Sequence, residues 1–385
     1  MIAMRAVLST MTRHLVAALL GALLLSGCAG RIAPFAPAEG PPAETTGWFA
    51  MPDGERLPYR TWLPSGTSAA GQGAAQAARM QGGAGRGVRG HAGVALASSG
   101  RAVGAPQEAG AQDGEPWAVI LALHGMNDSR DAWEYPAPDL AAAGIAVYAP
   151  DLRGFGATAG RGRWPGTGAF VADTRAMARA LRTRYPHSKL ILMGESMGAA
   201  VLMALATSPD PPPADGYVLI APAVWGRAEM NLFLRASLWV VSNAMPGFVV
   251  PSGMTPTRMA SDNRAAIRRL STDPLTIRET RVDAVRGLVD LMDAALAAAP
   301  RFHAPALFMA GGKDELIPEQ ATSAVWHALP GGERLAFYPG GYHLLLRDSG
   351  RETPIGDVVA WIRDPGAPLP SGADRAAASW LAERK

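Results

Sequence analysis

The chain is 385 residues long, 48% hydrophobic and 18% charged, with a formal net charge of +3. That much apolar material excludes global disorder and provides for a large buried core. The single cysteine excludes a disulfide scaffold, and scattered arginines with so small a net charge argue against a nucleic-acid partner.

Arg5 and Arg13 lie in a short positive stretch before and at the edge of an apolar run from Leu15 to Leu25. The run is too short to span a bilayer comfortably, and its flanks suit a secretory signal peptide. It ends in Leu25-Ser26-Gly27-Cys28, which resembles the lipobox of bacterial lipoproteins. The resemblance implies a signal peptide over residues 1–27, cleavage before Cys28 and acylation of that residue; a buried N-terminal helix is the alternative. Two or three acyl chains would hold the protein to a membrane, each buried CH₂ contributing about 0.8 kcal/mol. The expected location is then the bacterial cell envelope. Ala29 rather than Asp follows the cysteine, which favours the outer membrane if the cell is Gram-negative. Residues 28–45, rich in Pro, Ala and Gly, are expected to form a lipidated tether.

Strand-like runs at Gly47–Met51 and Leu57–Trp62 flank the turn signal Pro52-Asp53-Gly54. Residues 65–115 hold 13 Gly and 14 Ala among 51 positions and no aromatic residue, and are predicted to be a disordered insertion. Beyond it, apolar runs occur at Ala118–Leu123, Ile145–Ala149, Leu190–Met193, Tyr217–Ala221, Ala306–Ala310 and Arg334–Tyr338. Helix-length segments separate them at Asp131–Ala143, Thr167–Arg184, Met197–Thr207, Pro318–Ala328 and Pro354–Arg363. The alternation predicts an α/β fold with a mostly parallel eight-stranded sheet and helices on both faces. Residues 225–300 carry no clear strand and are expected to form a helical cap. The core then divides into 46–64 with 116–224 and 301–363, leaving 364–385 as a C-terminal tail.

The run 190–193 passes into Gly194-Glu195-Ser196-Met197-Gly198 and then into small, helix-forming residues. This is G-x-S-x-G between strand and helix, where a tight turn lifts a serine hydroxyl to the positive end of the helix. Ser196 is the candidate nucleophile. Three more strand-like runs end in His124-Gly125-Met126, in Gly311-Gly312-Lys313-Asp314 and in Gly340-Gly341-Tyr342-His343. Active residues of parallel sheets gather at the carboxyl edge of the strands, so these ends converge. His343 is the candidate base and Asp314 the candidate acid, with Asp348 and Glu315 as rivals. His124 is read as shaping its loop, and His303 and His327 as structural.

These motifs, with Ala149-Pro150-Asp151-Leu152-Arg153-Gly154-Phe155-Gly156 and Asp273-Pro274-Leu275, resemble the α/β-hydrolase superfamily. Within it the likeness is to the monoacylglycerol lipase and lysophospholipase group, also described as S33-type. The resemblance implies the α/β-hydrolase fold and a triad of Ser196, Asp314 and His343. It also implies an oxyanion hole of the Met126 and Met197 backbone N–H groups, and no metal or organic cofactor. The activity implied is hydrolysis of monoacyl lipids or related carboxylic esters through an acyl-enzyme. Glu195 stands where the best-known lipases have His, and the insertion has no counterpart in the group. An aminopeptidase or amidase on the same fold, and a non-catalytic envelope scaffold, are the alternatives. Arg235 is the one charge in Met230–Val250, so this stretch is expected to pack on the core, line an acyl pocket or touch a membrane. The sequence leaves the oligomeric state open.

Overall fold

The computed structural model describes residues 43–65, 115–250 and 258–384. The expected signal peptide, Cys28, most of the tether, and the insertion between Ser65 and Glu115 lie outside them.

The strands in chain order are β1 (Ala43–Ala50), β2 (Arg56–Leu63), β3 (Ala118–Leu123), β4 (Ile145–Pro150), β5 (Lys189–Glu195), β6 (Gly216–Ile220), β7 (Val249–Val250), β8 (Thr280–Arg281), β9 (Ala306–Gly311) and β10 (Arg334–Tyr338). The helices are α1 (Pro136–Ala142), α2 (Thr167–Arg184), α3 (Met197–Ala206), α4 (Leu232–Ala244), α5 (Arg264–Thr272), α6 (Val282–Ala298), α7 (Glu319–Ala328), α8 (Glu352–Arg363) and α9 (Ala373–Ala382). Eight strands form one sheet in the order β1-β2-β4-β3-β5-β6-β9-β10. The pairs from β4 to β10 are parallel, while β2 runs antiparallel to both β1 and β4. The expected α/β-hydrolase architecture, mainly parallel with helices on both faces, is therefore present.

Burial follows the two-residue period of the strands. Every residue of β3, β4 and β6 is buried, as in strands covered on both faces. Val119, Leu121 and Leu123 enter the core that holds Phe170 of α2 and Leu202 of α3. Ala118, Ile120 and Ala122 enter the opposite core, with Leu140 of α1 and Val358 of α8.

The structure corrects several sequence expectations. β1 starts at Ala43, inside the expected tether, because Thr45 and Thr46 pair with Thr61 and Arg60 and Glu44 meets Arg60 at 2.8 Å. The segment 131–143 is a 3-10 turn at Arg130–Trp133 followed by α1, which restarts at Pro136 because proline has no N–H and suits the first helical position. Within 225–300 the two-residue strands β7 and β8 pair antiparallel. The end of this segment joins the core, since Leu291, Met292, Ala295 and Ala298 of α6 recur at helical spacing and bury against it. The expected tail contains α9, whose Trp380 is 6% exposed, stacks on Phe337 at 4.9 Å and meets Trp326 edge-on at 5.2 Å.

Candidate active site

The turn at Ser196, the candidate nucleophile, is set by its neighbours' lack of side chains. β5 ends at Glu195, and Ser196 has φ 55° and ψ −113° before α3 begins at Met197. A Cβ on Gly194 would lie 2.5 Å from the Gly198 carbonyl carbon, and one on Gly198 would strike the Leu123 carbonyl oxygen. Only glycine permits β5, α3 and the end of β3 to approach this closely. The Ser196 amide donates to Ile220 O at 2.9 Å, and Ser196 O accepts from Ala223 at 3.0 Å, so both flanking segments hold the strained residue.

Gly125 lies directly beside it: the Cβ position of Gly125 is 3.5 Å from the Ser196 Cβ. His124 braces this loop from within the core. Its Nε2 accepts the Leu152 N–H at 3.0 Å, which puts the ring proton on Nδ1, and Nδ1 donates to Gly125 O at 2.8 Å. Burial holds the His124 pKa below its ordinary value, so the neutral ring that makes both bonds persists. The reading of His124 as a loop-shaping residue agrees with these bonds, and the Asp151-Leu152 motif supplies the donor. Among the described residues, neither the Met126 nor the Met197 N–H has a hydrogen-bond partner. Asn127, with φ 63°, binds the return from the cap: its carbonyl accepts the Ile277 N–H at 2.8 Å and its side chain donates to Thr280 at 2.7 Å.

Asp314 and His343 meet beyond the ends of β9 and β10. His343 Nδ1 lies 2.8 Å from Asp314 Oδ2, and the two side chains are 3% and 7% exposed. Asp314 Oδ1 accepts the Leu316 and Ile317 N–H groups at 2.8 and 2.9 Å, fixing the carboxylate independently of the imidazole. The two loops are joined by Gly312 N–H to Tyr338 O and Lys313 N–H to Gly341 O, both at 2.8 Å. Asp348, the rival acid, is engaged elsewhere: it accepts the Tyr342 N–H at 2.8 Å and the Ser261 hydroxyl at 2.6 Å. Burial raises its pKa, and those two hydrogen bonds oppose the rise. The other rival, Glu315, accepts the Met259 N–H at 2.9 Å. His327 closes a local contact with Ser323 O at 2.9 Å.

Sequence reasoning missed Arg347. This residue is 4% exposed, and its Nη2 donates to Asp128 and to Glu195, both at 2.7 Å. Burial alone would favour its neutral form, but the two carboxylates outweigh that and keep it charged. Burial also raises the Glu195 pKa against the pull of Arg347. The one available signal was Glu195 itself, an acid set directly after the apolar run 190–193 and before small helix-forming residues. Among the described residues no cluster of three or more His, Cys, Asp or Glu side chains could hold a metal, and no helix is long and apolar enough to cross a membrane.

Residues 114–350, which include Ser196, Asp314 and His343, match the family model described as serine aminopeptidase, S33. The chain belongs to the serine aminopeptidase S33 family. The chain is similar to the monoacylglycerol lipase of Mycolicibacterium smegmatis, 27% identical over 254 residues, which are 65% of this chain and 89% of that protein. The S33-family chain is also similar to the crystal structure of Paleococcus ferrophilus monoacylglycerol lipase, with TM-score 0.56 and 23% identity over 64% of this chain and 95% of the other. A soluble variant of Saccharomyces cerevisiae monoglyceride lipase superposes with TM-score 0.61 at 15% identity, covering 86% of this chain and 97% of its own. At these identities the structural likeness concerns the fold.

Proposed function

We propose that the protein is a serine ester hydrolase acting on monoacyl lipids or related carboxylic esters. One observation carries the reading: the 2.8 Å Asp314–His343 contact lies at the same sheet edge as the strained Ser196 turn. Membership of the S33 family and the relatives named monoacylglycerol lipase support the substrate class. In the proposed mechanism Ser196 Oγ attacks the ester carbonyl while His343 Nε2 takes its proton. Asp314 holds the Nδ1–H and stabilises the imidazolium. The Met126 and Met197 N–H groups receive the tetrahedral oxyanion, a contribution of about 3–4 kcal/mol per donor in comparable sites. The alcohol leaves with the His343 proton, and water, deprotonated by the same ring, clears the acyl-enzyme.

The same proposal includes attachment to a membrane through acylated Cys28 and a place in the bacterial envelope, the outer membrane if the cell is Gram-negative. The sequence Leu25-Ser26-Gly27-Cys28 supports it. Incorporation of labelled palmitate that persists in Cys28→Ser would overturn it.

The activity is tested with p-nitrophenyl esters of graded chain length on the protein and on Ser196→Ala. Hydrolysis that vanishes in the variant and is greatest at medium or long chains supports the reading; equal hydrolysis by both proteins overturns it. A peptidase reading is favoured by the description of the family model, and matched ester and amide substrates separate the two.

A further inference from the structure

Asp128 follows β3, Glu195 ends β5 and Arg347 follows β10, yet one guanidinium nitrogen joins the three. Asp128 lies two residues after Met126, and its amide reaches back to Gly125 O at 3.4 Å. Glu195 immediately precedes Ser196, and Arg347 lies four residues after His343. All three side chains are buried, at 7%, 3% and 5% exposure. Two carboxylates on one guanidinium is a costly arrangement, because desolvation is paid three times and Arg347 Nε has no partner. Replacing a buried ionic trio by apolar residues of similar volume is often neutral or stabilising, so stability is a weak account of it. Its distinctive property is direction: two charge-assisted bonds of 2.7 Å fix the separation of the three segments more sharply than apolar contacts can.

That separation is what acyl transfer depends on. Oxyanion donors act over a window only about 0.4 Å wide, and a misplacement of about 1 Å can lower turnover about 100-fold. We propose that Arg347 is a positioning residue: by clamping Asp128 and Glu195 it holds the Met126 amide, Ser196 and His343 at their working spacing. The proposal rests on the ester-hydrolase reading of Ser196, and it gives Glu195 its place in the G-x-S-x-G turn. Among the described residues, none of the three side chains hydrogen-bonds to the Ser196 or His343 side chain.

Arg347→Met alone leaves two buried carboxylates unpaired and is expected to fold poorly, so the test uses the neutral triple variant Asp128→Asn/Glu195→Gln/Arg347→Met beside Arg347→Lys. Melting temperature, kcat, KM and the rate of fluorophosphonate labelling at Ser196 are measured for each. The triple variant carries no buried charge and is expected to fold, melting below the wild type because two amides lose their partner, with kcat and labelling lowered about 100-fold and KM within about twofold. Arg347→Lys keeps the charge without the guanidinium reach and is expected to lose only about tenfold in kcat. A folded triple variant with wild-type kcat, or a loss confined to KM, overturns the clamp. If the triple variant does not fold, Arg347→Lys decides: wild-type kcat overturns the proposal, and a lowered kcat at unchanged KM and melting temperature supports it. A wild type whose Ser196 is neither labelled nor needed for hydrolysis overturns the ester-hydrolase reading and the clamp together. Serine-dependent hydrolysis untouched by the variants overturns the clamp alone.

Discussion

The Asp314 carboxylate divides its oxygens between two tasks, one held by two backbone amides and the other 2.8 Å from the His343 ring. Asp348, five residues after His343, also binds the histidine loop, but through the Tyr342 amide rather than the ring. The two acids therefore fail differently when neutralised. Asp314→Asn is expected to lower kcat by about 10⁴ with little change in KM, because an amide favours the wrong ring tautomer. Asp348→Asn is expected to cost far less in kcat, at most about tenfold, and to lower the melting temperature instead. Steady-state kinetics on the two variants check this, and equal losses would reassign the acid.

His124 makes stability depend on pH. Its folded pKa lies below the ordinary 6.5 because of burial, so under mildly acidic conditions the unfolded chain takes up a proton that the folded protein refuses. This contribution is fully present above about pH 6.5 and is lost as pH falls below it. Glu195, raised by burial above 4.5, acts in the opposite sense, its ionisation eroding stability as pH rises, but it is common to both proteins compared. From about pH 8 to about pH 5, the melting temperature of the wild type should fall more steeply than that of His124→Asn. Parallel curves would show that His124 is not the group responsible.

Trp380 makes α9 part of the fold. A buried tryptophan truncated to alanine costs about 3–5 kcal/mol, so Trp380→Ala, or removal of residues 364–385, should lower the melting temperature by several degrees or more. Thermal unfolding that is unchanged would return this segment to the status of a tail.

The central strands were legible because burial on both faces writes continuous apolar runs into the sequence, as at Val119–Leu123 and Leu190–Met193. Ser196, Asp314 and His343 were legible because each follows such a run and sits among glycines that only a tight turn requires. What escaped has no local signature. The contact of Arg347 with Asp128 spans 219 positions and that with Glu195 spans 152, and neither residue type announces its partner. The early start of β1 at Ala43 was hidden in a Pro- and Ala-rich composition, and its pairing with Leu63 supplies what propensity did not. α9 was short and preceded by Pro and Gly, and its burial depends on aromatic neighbours from α7 and β10.

The positive φ at Ser196 places the proposed nucleophile where glycine would be more comfortable. Holding serine there costs about 1–3 kcal/mol, against about 0.4–1 kcal/mol lost by glycine through its freer unfolded chain. Ser196→Gly should therefore melt above Ser196→Ala, and the proposed mechanism expects neither to hydrolyse esters. The turn at Ser196 is thus a place where the scaffold holds strain that its own stability does not require, which is what the proposed nucleophile would need.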